Sequence, residues 1–199
     1  MKIIKLKNLK ENDFFEDFSN WLQKDLNQVN KIILEILETD SSLITELSNY
    51  IIGAGGKRIR PLLTLASARL CQYSGNRHLN LASAIEFIHT ATLLHDDVVD
   101  SSKKRRGKKT ANFIWGNKSS ILVGDFLLSK AFKILINDGS LKCIDLISNV
   151  SEKISFGEVK QLMSVGNLNM SESDYLEIIG YKTAELFSAA CQLSAEISE

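Results

Sequence analysis

Proline is almost absent from this chain of 199 residues: Pro61 stands alone, and only 11 residues are glycine. So few breakers point to an all-α chain without low-complexity segments. Cysteine is equally scarce. Cys71, Cys143 and Cys191 lie far apart with no C-x-x-C pair, which argues against a disulfide framework or a cysteine zinc site and fits a reducing, cytoplasmic compartment. Net charge is missing too, since 24 basic and 24 acidic residues cancel. No overall field draws the chain to nucleic acid or an anionic membrane, so any charge-driven binding has to be local. A bilayer-spanning run is also lacking: the most apolar stretch, ILVGDFLLSKAFKILI at 121–136, is interrupted by Asp125, Lys130 and Lys133. The opening MKIIKLKNLKEND has no apolar core followed by a small-residue cleavage site, so it does not read as a secretory signal.

What is present is helical periodicity. Apolar residues recur at i, i+3 and i+4 with no sustained strand alternation, which predicts one all-α domain. Phe14, Phe18, Leu22, Leu26, Val29, Ile33 and Leu37 form the stripe of a long first helix. A second is expected over 41–52, stopped by GAGG at 53–56, and a third over 61–73 with Pro61 in its first turn. The fourth, about 79–100, ends in DDVVD. After a basic loop, helices follow near 117–137 and 140–165, separated by the Asn137-Asp138-Gly139 turn signal. Ser171-x-x-Asp174 resembles a capping box that opens a last helix running almost to the end of the sequence.

Chemistry concentrates where the fourth helix ends. Asp96 and Asp100 are four residues apart, so their carboxylates leave one helix face about a turn from each other. Unneutralised, such a pair costs roughly 0.2–0.5 kcal/mol. A hard divalent cation reverses that sign, and Mg2+ is the candidate because it takes carboxylate oxygens, retains waters and accepts phosphate oxygens. Asp97 is placed to support these ligands from behind, and neighbouring His95 leaves another metal open. His89, seven residues before Asp96, falls on a similar face and is expected to line the same cleft, although a lone histidine is more often a satisfied core residue. The run KKRRGKK at 103–109 follows closely. By itself it reads as a solvated loop or a nucleic-acid patch, but Arg105 and Arg106 can fold back over an anion, and guanidinium forks suit phosphate. GGKRIRP at 55–61 is a second basic cluster, with Lys57, Arg58 and Arg60 at the mouth of the third helix. Two basic clusters beside a carboxylate pair predict two anionic groups, one held through metal and one held directly.

In these residues the sequence closely resembles the trans-polyprenyl diphosphate synthases, the all-α isoprenoid synthase family. GGKRIRP resembles the family's G-K-R-x-R-P motif, EFIHTATLLHDDVVD (86–100) its first D-D-x-x-D motif with the upstream histidine, and RRGKKTAN (105–112) the segment that follows. GDFLLSKAF (124–132), GEVKQL (157–162) and YKTAELFSAAC (181–191) look like later family helices. The resemblance implies an isoprenoid synthase helical bundle. It implies that Lys57, Arg60, His89 and Arg106 hold the diphosphate of isopentenyl diphosphate, that Asp96 and Asp100 hold Mg2+, and that Arg105, Lys182 and Thr183 hold the allylic diphosphate. Asp96, Asp100, Arg105 and Lys182 would be catalytic. The implied reaction is head-to-tail condensation of isopentenyl diphosphate with an allylic prenyl diphosphate. In this family the residues one and two turns before the aspartates limit product length. Ile88, Ala91 and Thr92 stand there with no aromatic plug, implying a long-chain, octaprenyl-type product for a quinone side chain; Phe87 is of unreadable orientation. Where relatives often carry acidic residues, this chain has SSKK at 101–104.

The family's second motif, F-Q-x-x-D-D-x-x-D, has no match in this chain. The expectation is therefore a synthase domain truncated before that motif, acting as a homodimer through helices near 117–165 or as a hetero-oligomer with the missing half. Two alternatives stand beside it: a non-catalytic or regulatory subunit of a prenyl synthase, against which DDVVD is intact, and, remotely, a helical nucleic-acid-binding module using KKRRGKK.

Overall fold

The computed structural model describes residues 11–198. The N-terminal decapeptide, on which the signal-sequence reading mostly falls, lies outside the described residues. In chain order the elements are α1 (Glu11–Leu37), α2 (Ser42–Gly53), α3 (Ile59–Leu70), α4 (Arg77–Val99), β1 (Lys104–Arg105), β2 (Lys108–Lys109), α5 (Ala111–Trp115), α6 (Asn117–Asp138), α7 (Leu141–Ser164), α8 (Glu172–Ile179), a π turn (Gly180–Ala184) and α9 (Glu185–Glu196). No described helix is long and apolar enough to cross a membrane.

The helical bundle follows the apolar pattern. α4 is apolar on nearly every side, as a helix must be if it is surrounded, and it packs against α1, α3, α5, α6 and α9. Its Leu81, Ile85, Phe87 and Leu94 are fully buried, which settles the orientation of Phe87: it belongs to the core. Leu22, Leu26, Val29, Ile33 and Leu37 of α1 are buried as their spacing requires. Burying each such side chain contributes about 1.5–3 kcal/mol. The stripe begins differently from the expectation, however. Phe14 is 66% exposed, whereas Phe15 packs against the core, because the spacing 15, 18, 22 satisfies the helical period as well as 14, 18, 22.

Helix ends also obey local chemistry. Ser41, Ser140 and Ser171 cap α2, α7 and α8, with the Ser171 hydroxyl accepting from the Asp174 N–H at 3.1 Å. Gly139, at φ 81°, closes α6 in the left-handed region.

Two elements depart from the sequence reading. The basic loop is a hairpin, in which Lys104 pairs with Lys109 and Arg105 with Lys108 around an Arg106-Gly107 turn. Both turn residues have positive φ, 51° and 79°, the signature of a turn whose twist matches the strands. A five-residue α5 follows it. The last helix is interrupted by the π turn, so α8 and α9 form one rod with a bulge at Gly180–Ala184.

Candidate active site

α4 carries Asp96 and Asp97 in its last turn and Asp100 at its C-cap, with no basic residue there to offset them. Carboxylates at a helix C-terminus oppose the helix dipole. Such a concentration of acidic groups at one helix end marks a candidate site.

The three aspartates have different surroundings. Asp97 is buried, and its carboxylate accepts from Arg105 Nε at 3.0 Å and pairs with Arg105 Nη2 at 2.9 Å. Its backbone carbonyl accepts from Asn112 Nδ2 at 3.0 Å and from the Ser102 N–H at 2.9 Å. Asp97 therefore fastens the hairpin to α4 instead of backing the other aspartates. The Tyr50 hydroxyl secures the second strand, donating to the Lys109 carbonyl at 2.8 Å. Held from both sides, the hairpin sends its two arginines to different places.

Arg106 reaches a cavity of about 530 Å3 together with Lys57, Arg58, Arg60, Glu86 and His89. A Cβ on Gly56 would lie 2.7 Å from Arg106 Nη1, so this glycine makes room for the guanidinium. Arg58 and Arg106 both sit at positive φ, 49° and 51°, where side chains are rare. Arg58 is held there by an ion pair to buried Glu86 and by a hydrogen bond from Nη2 to the Ile52 carbonyl at 2.9 Å. Its charge is thus consumed internally. Burial pushes the Glu86 carboxyl up, opposed by Arg58. Lys57, Arg60 and Arg106 remain to attract an anion. Lys57 lies over the Phe15 ring at 5.1 Å and Arg60 over Phe187 at 4.3 Å.

Arg60 Nη1 stands 3.1 Å from His89 Nε2. A guanidinium only donates, so Nε2 accepts and the imidazole proton sits on Nδ1. Burial, reinforced by Arg60, Arg106 and Arg105, pushes the His89 pKa down to about 3, making this a neutral ring. Burial also lowers Arg60 from its ordinary value.

A second cavity, about 260 Å3, shares Arg60, His89 and Leu93 with the first and is otherwise lined by residues including Asp96, Asp100, Arg105, Glu158, Lys182 and Thr183. Lys182 Nζ lies 2.7 Å from Glu158 Oε1 and 3.6 Å from Asp96 Oδ2. Asp96 is pushed up to about 6 by burial and then by Glu158, with Lys182 pulling the other way. For Lys182, burial opposes the charge, but the Glu158 hydrogen bond and Asp96 outweigh it and its pKa is raised.

Most of the residues singled out in the sequence thus gather around two adjoining spaces. Thr92 also lines the smaller one, its hydroxyl donating to the His89 carbonyl at 2.8 Å, while Ile88 and Ala91 are buried in the core. His95 turns to α6, 3.3 Å from the Ile121 carbonyl and 3.4 Å from Asp125, and is not among the cavity residues. Glu86, Glu158 and Phe187 were not singled out, although all three lie in segments noted for resemblance; only the tertiary pairings reveal their roles.

Among the described residues no three His, Cys, Asp or Glu side chains converge on one ion position. Asp96 and Asp100 fit a hard divalent cation held by two carboxylates that takes its other ligands from water and phosphate, without a soft donor that would favour zinc.

Known proteins resemble this chain over most of its length. The family model described as Polyprenyl synthetase matches residues 41–199. Octaprenyl diphosphate synthase of Escherichia coli (strain K12) is 49% identical over 179 residues, covering 90% of this chain and 55% of the relative. Among solved structures, a decaprenyl diphosphate synthase from Rhodobacter capsulatus superposes with a TM-score of 0.90 at 46% identity, over 92% of this chain and 57% of that one. A polyprenyl synthase from Caulobacter crescentus CB15, complexed with calcium and isoprenyl diphosphate, gives a TM-score of 0.90 at 46% identity over 92% and 56%. The chain spans about half the length of the relatives it matches. With the family model covering most of its length and the all-α bundle shared with these structures, the chain belongs to the polyprenyl synthetase family.

Proposed function

We propose that this chain supplies the substrate-holding region of a cytoplasmic prenyltransferase that condenses isopentenyl diphosphate with an allylic prenyl diphosphate to build a long-chain, octaprenyl-type polyprenyl diphosphate. The observation that carries this reading is the pair of adjoining cavities, one cationic and one carboxylate-bearing, with Arg60 and His89 in their common wall.

Lys57, Arg60 and Arg106 hold the diphosphate of isopentenyl diphosphate, and the Nδ1–H of His89 is a neutral donor beside it. Asp96 and Asp100 hold Mg2+ together with the allylic diphosphate, which Arg105, Lys182 and Thr183 grip from the protein. When bound, Mg2+ draws negative charge onto the allylic diphosphate as a leaving group. The allylic C–O bond breaks with its electron pair going to the diphosphate, the isopentenyl alkene attacks the allylic carbon, and a proton is lost to restore a double bond. The cationic side chains stabilise the departing charge, and Leu93, Ile154 and Leu186 in the lining of the smaller cavity help keep water from the allylic cation. Ile88, Ala91 and Thr92, in the turns of α4 before Asp96, include no aromatic residue, which supports a long product. Exposed Ile121, Leu122 and Ile136 on α6 support self-association through the 117–165 region.

The test is incorporation of labelled isopentenyl diphosphate onto farnesyl diphosphate with Mg2+, using this chain mixed with the remaining portion of the E. coli relative. Labelled polyprenyl products that vanish with Asp96→Ala are expected. A folded mixture that binds both diphosphates yet yields none would refute the assignment.

A further inference from the structure

The contact between α7 and the π turn joins backbones closely enough to fix one side chain. Gly157 is buried, and a Cβ there would lie 2.8 Å from Tyr181 Cβ and 3.1 Å from the Lys182 backbone nitrogen. The seam is stitched on both flanks. Lys153 donates to Glu185 at 2.9 Å, and Phe156 meets the Tyr181 ring edge-on at 5.8 Å. At the centre of this seam Glu158 holds Lys182, with Oε1 at 2.7 Å and Oε2 at 2.8 Å from Nζ. The same ammonium reaches Asp96 at 3.6 Å.

Lys182 therefore stands beside one of the two carboxylates that fit a divalent ion. We infer that Glu158 is a positioning residue: it draws the Lys182 ammonium off Asp96, leaving that carboxylate open to a divalent cation and keeping Lys182 beside the diphosphate the cation brings. The inference rests on the proposed divalent-cation and diphosphate site. The geometry favours a tether over a ligand, because both Glu158 oxygens face the ammonium at hydrogen-bond distance while Asp96 lies beyond it. It also gives the π turn a purpose. A bulge at Gly180–Ala184 displaces Lys182 from the regular helical path, and the missing side chain at Gly157 allows the bulge to lie against the helix that carries Glu158. Without Glu158 the ammonium has Asp96 as its nearest carboxylate and competes there with the cation.

A double-mutant cycle separates this role from a general effect of charge. Mn2+ affinity is measured by titration calorimetry on the parent chain, Glu158→Gln, Lys182→Met and the double variant, with thermal melts confirming that each is folded. Glu158→Gln is expected to weaken Mn2+ binding on the order of tenfold in the parent but by less than about twofold in the Lys182→Met background, a coupling within the range of contacting residues. Glu158→Asp, which keeps the charge, is expected to restore part of the loss. An equal loss in both backgrounds would make Glu158 a direct ligand or a source of field and overturn the inference. A folded parent that binds no Mn2+ would instead overturn the cation site itself, and the tether with it.

Discussion

Arg60 and His89 stand 3.1 Å apart in the wall shared by the two cavities, and the arginine, having no acceptor, fixes which nitrogen of the histidine carries the proton. With its pKa near 3, His89 is a neutral ring, which would offer the proposed diphosphate one N–H and no charge. Nitrogen-15 NMR is expected to show the Nδ1–H tautomer unchanged from pH 8 to pH 5. Unfolding adds a sign that can be checked. The unfolded histidine takes up a proton near 6.5 and the folded one near 3, so the penalty is absent above 6.5, grows as pH falls and is complete below about 3. His89→Gln removes that dependence, and stability curves of the two proteins should diverge over that interval.

Asp96 is displaced the opposite way. Its folded pKa of about 6 exceeds the ordinary 3.8, so the fold binds more protons between those values and loses stability as pH rises through them. Asp96→Asn is expected to raise stability at pH 7.5 by about 1–3 kcal/mol, seen as a Tm several degrees higher. The gain should shrink as the pH is lowered towards 4, where the parent carboxyl is protonated. The same variant should lose divalent-dependent pyrophosphate binding, an instance of a site held at the expense of stability.

Gly157 tests the packing beneath the site. Gly157→Ala places a methyl against Tyr181 Cβ and the Lys182 backbone, where a flexible chain end cannot simply move aside. A loss of about 1–3 kcal/mol is expected from the forced shift, measured by denaturant unfolding, together with weaker pyrophosphate binding in the presence of Mg2+. Binding in the absence of metal should be unaffected.

The hairpin is fastened by Asp97 and Tyr50. Asp97→Ala leaves Arg105 without its buried partner and should cost about 1–3 kcal/mol, whereas Tyr50→Phe removes one hydrogen bond to the Lys109 carbonyl and should cost about 0.5–1.5 kcal/mol. Both should speed amide exchange across residues 103–110 and weaken diphosphate binding at Arg106.

Most of the scaffold was legible because a chain with one proline and a steady helical period has few alternatives, and the spacing of Asp96 and Asp100 already puts both carboxylates on one helix face, where they line one cavity. What stayed hidden has a common cause. The hairpin depends on a turn with Arg106 at positive φ, which no arginine signals. The π turn lies inside a run that is helical throughout, so its periodicity differs too little to be seen. The duties of Glu86, Glu158 and Asp97 are set by partners such as Arg58, Lys182 and Arg105, and the expectation for Asp97 failed because helical register places it beside Asp96 and Asp100 while tertiary packing turns it to the hairpin. Phe14 and Phe15 fit the stripe equally well until the core chooses between them.

The central claim is that the chain holds two separate diphosphate sites with different demands, and calorimetric titration with inorganic pyrophosphate, with and without Mg2+, addresses it directly. One equivalent is expected to bind without metal and a second only with Mg2+. Arg106→Gln should remove the first and Asp100→Ala the second. A single site, or loss of both sites in either variant, would contradict the account.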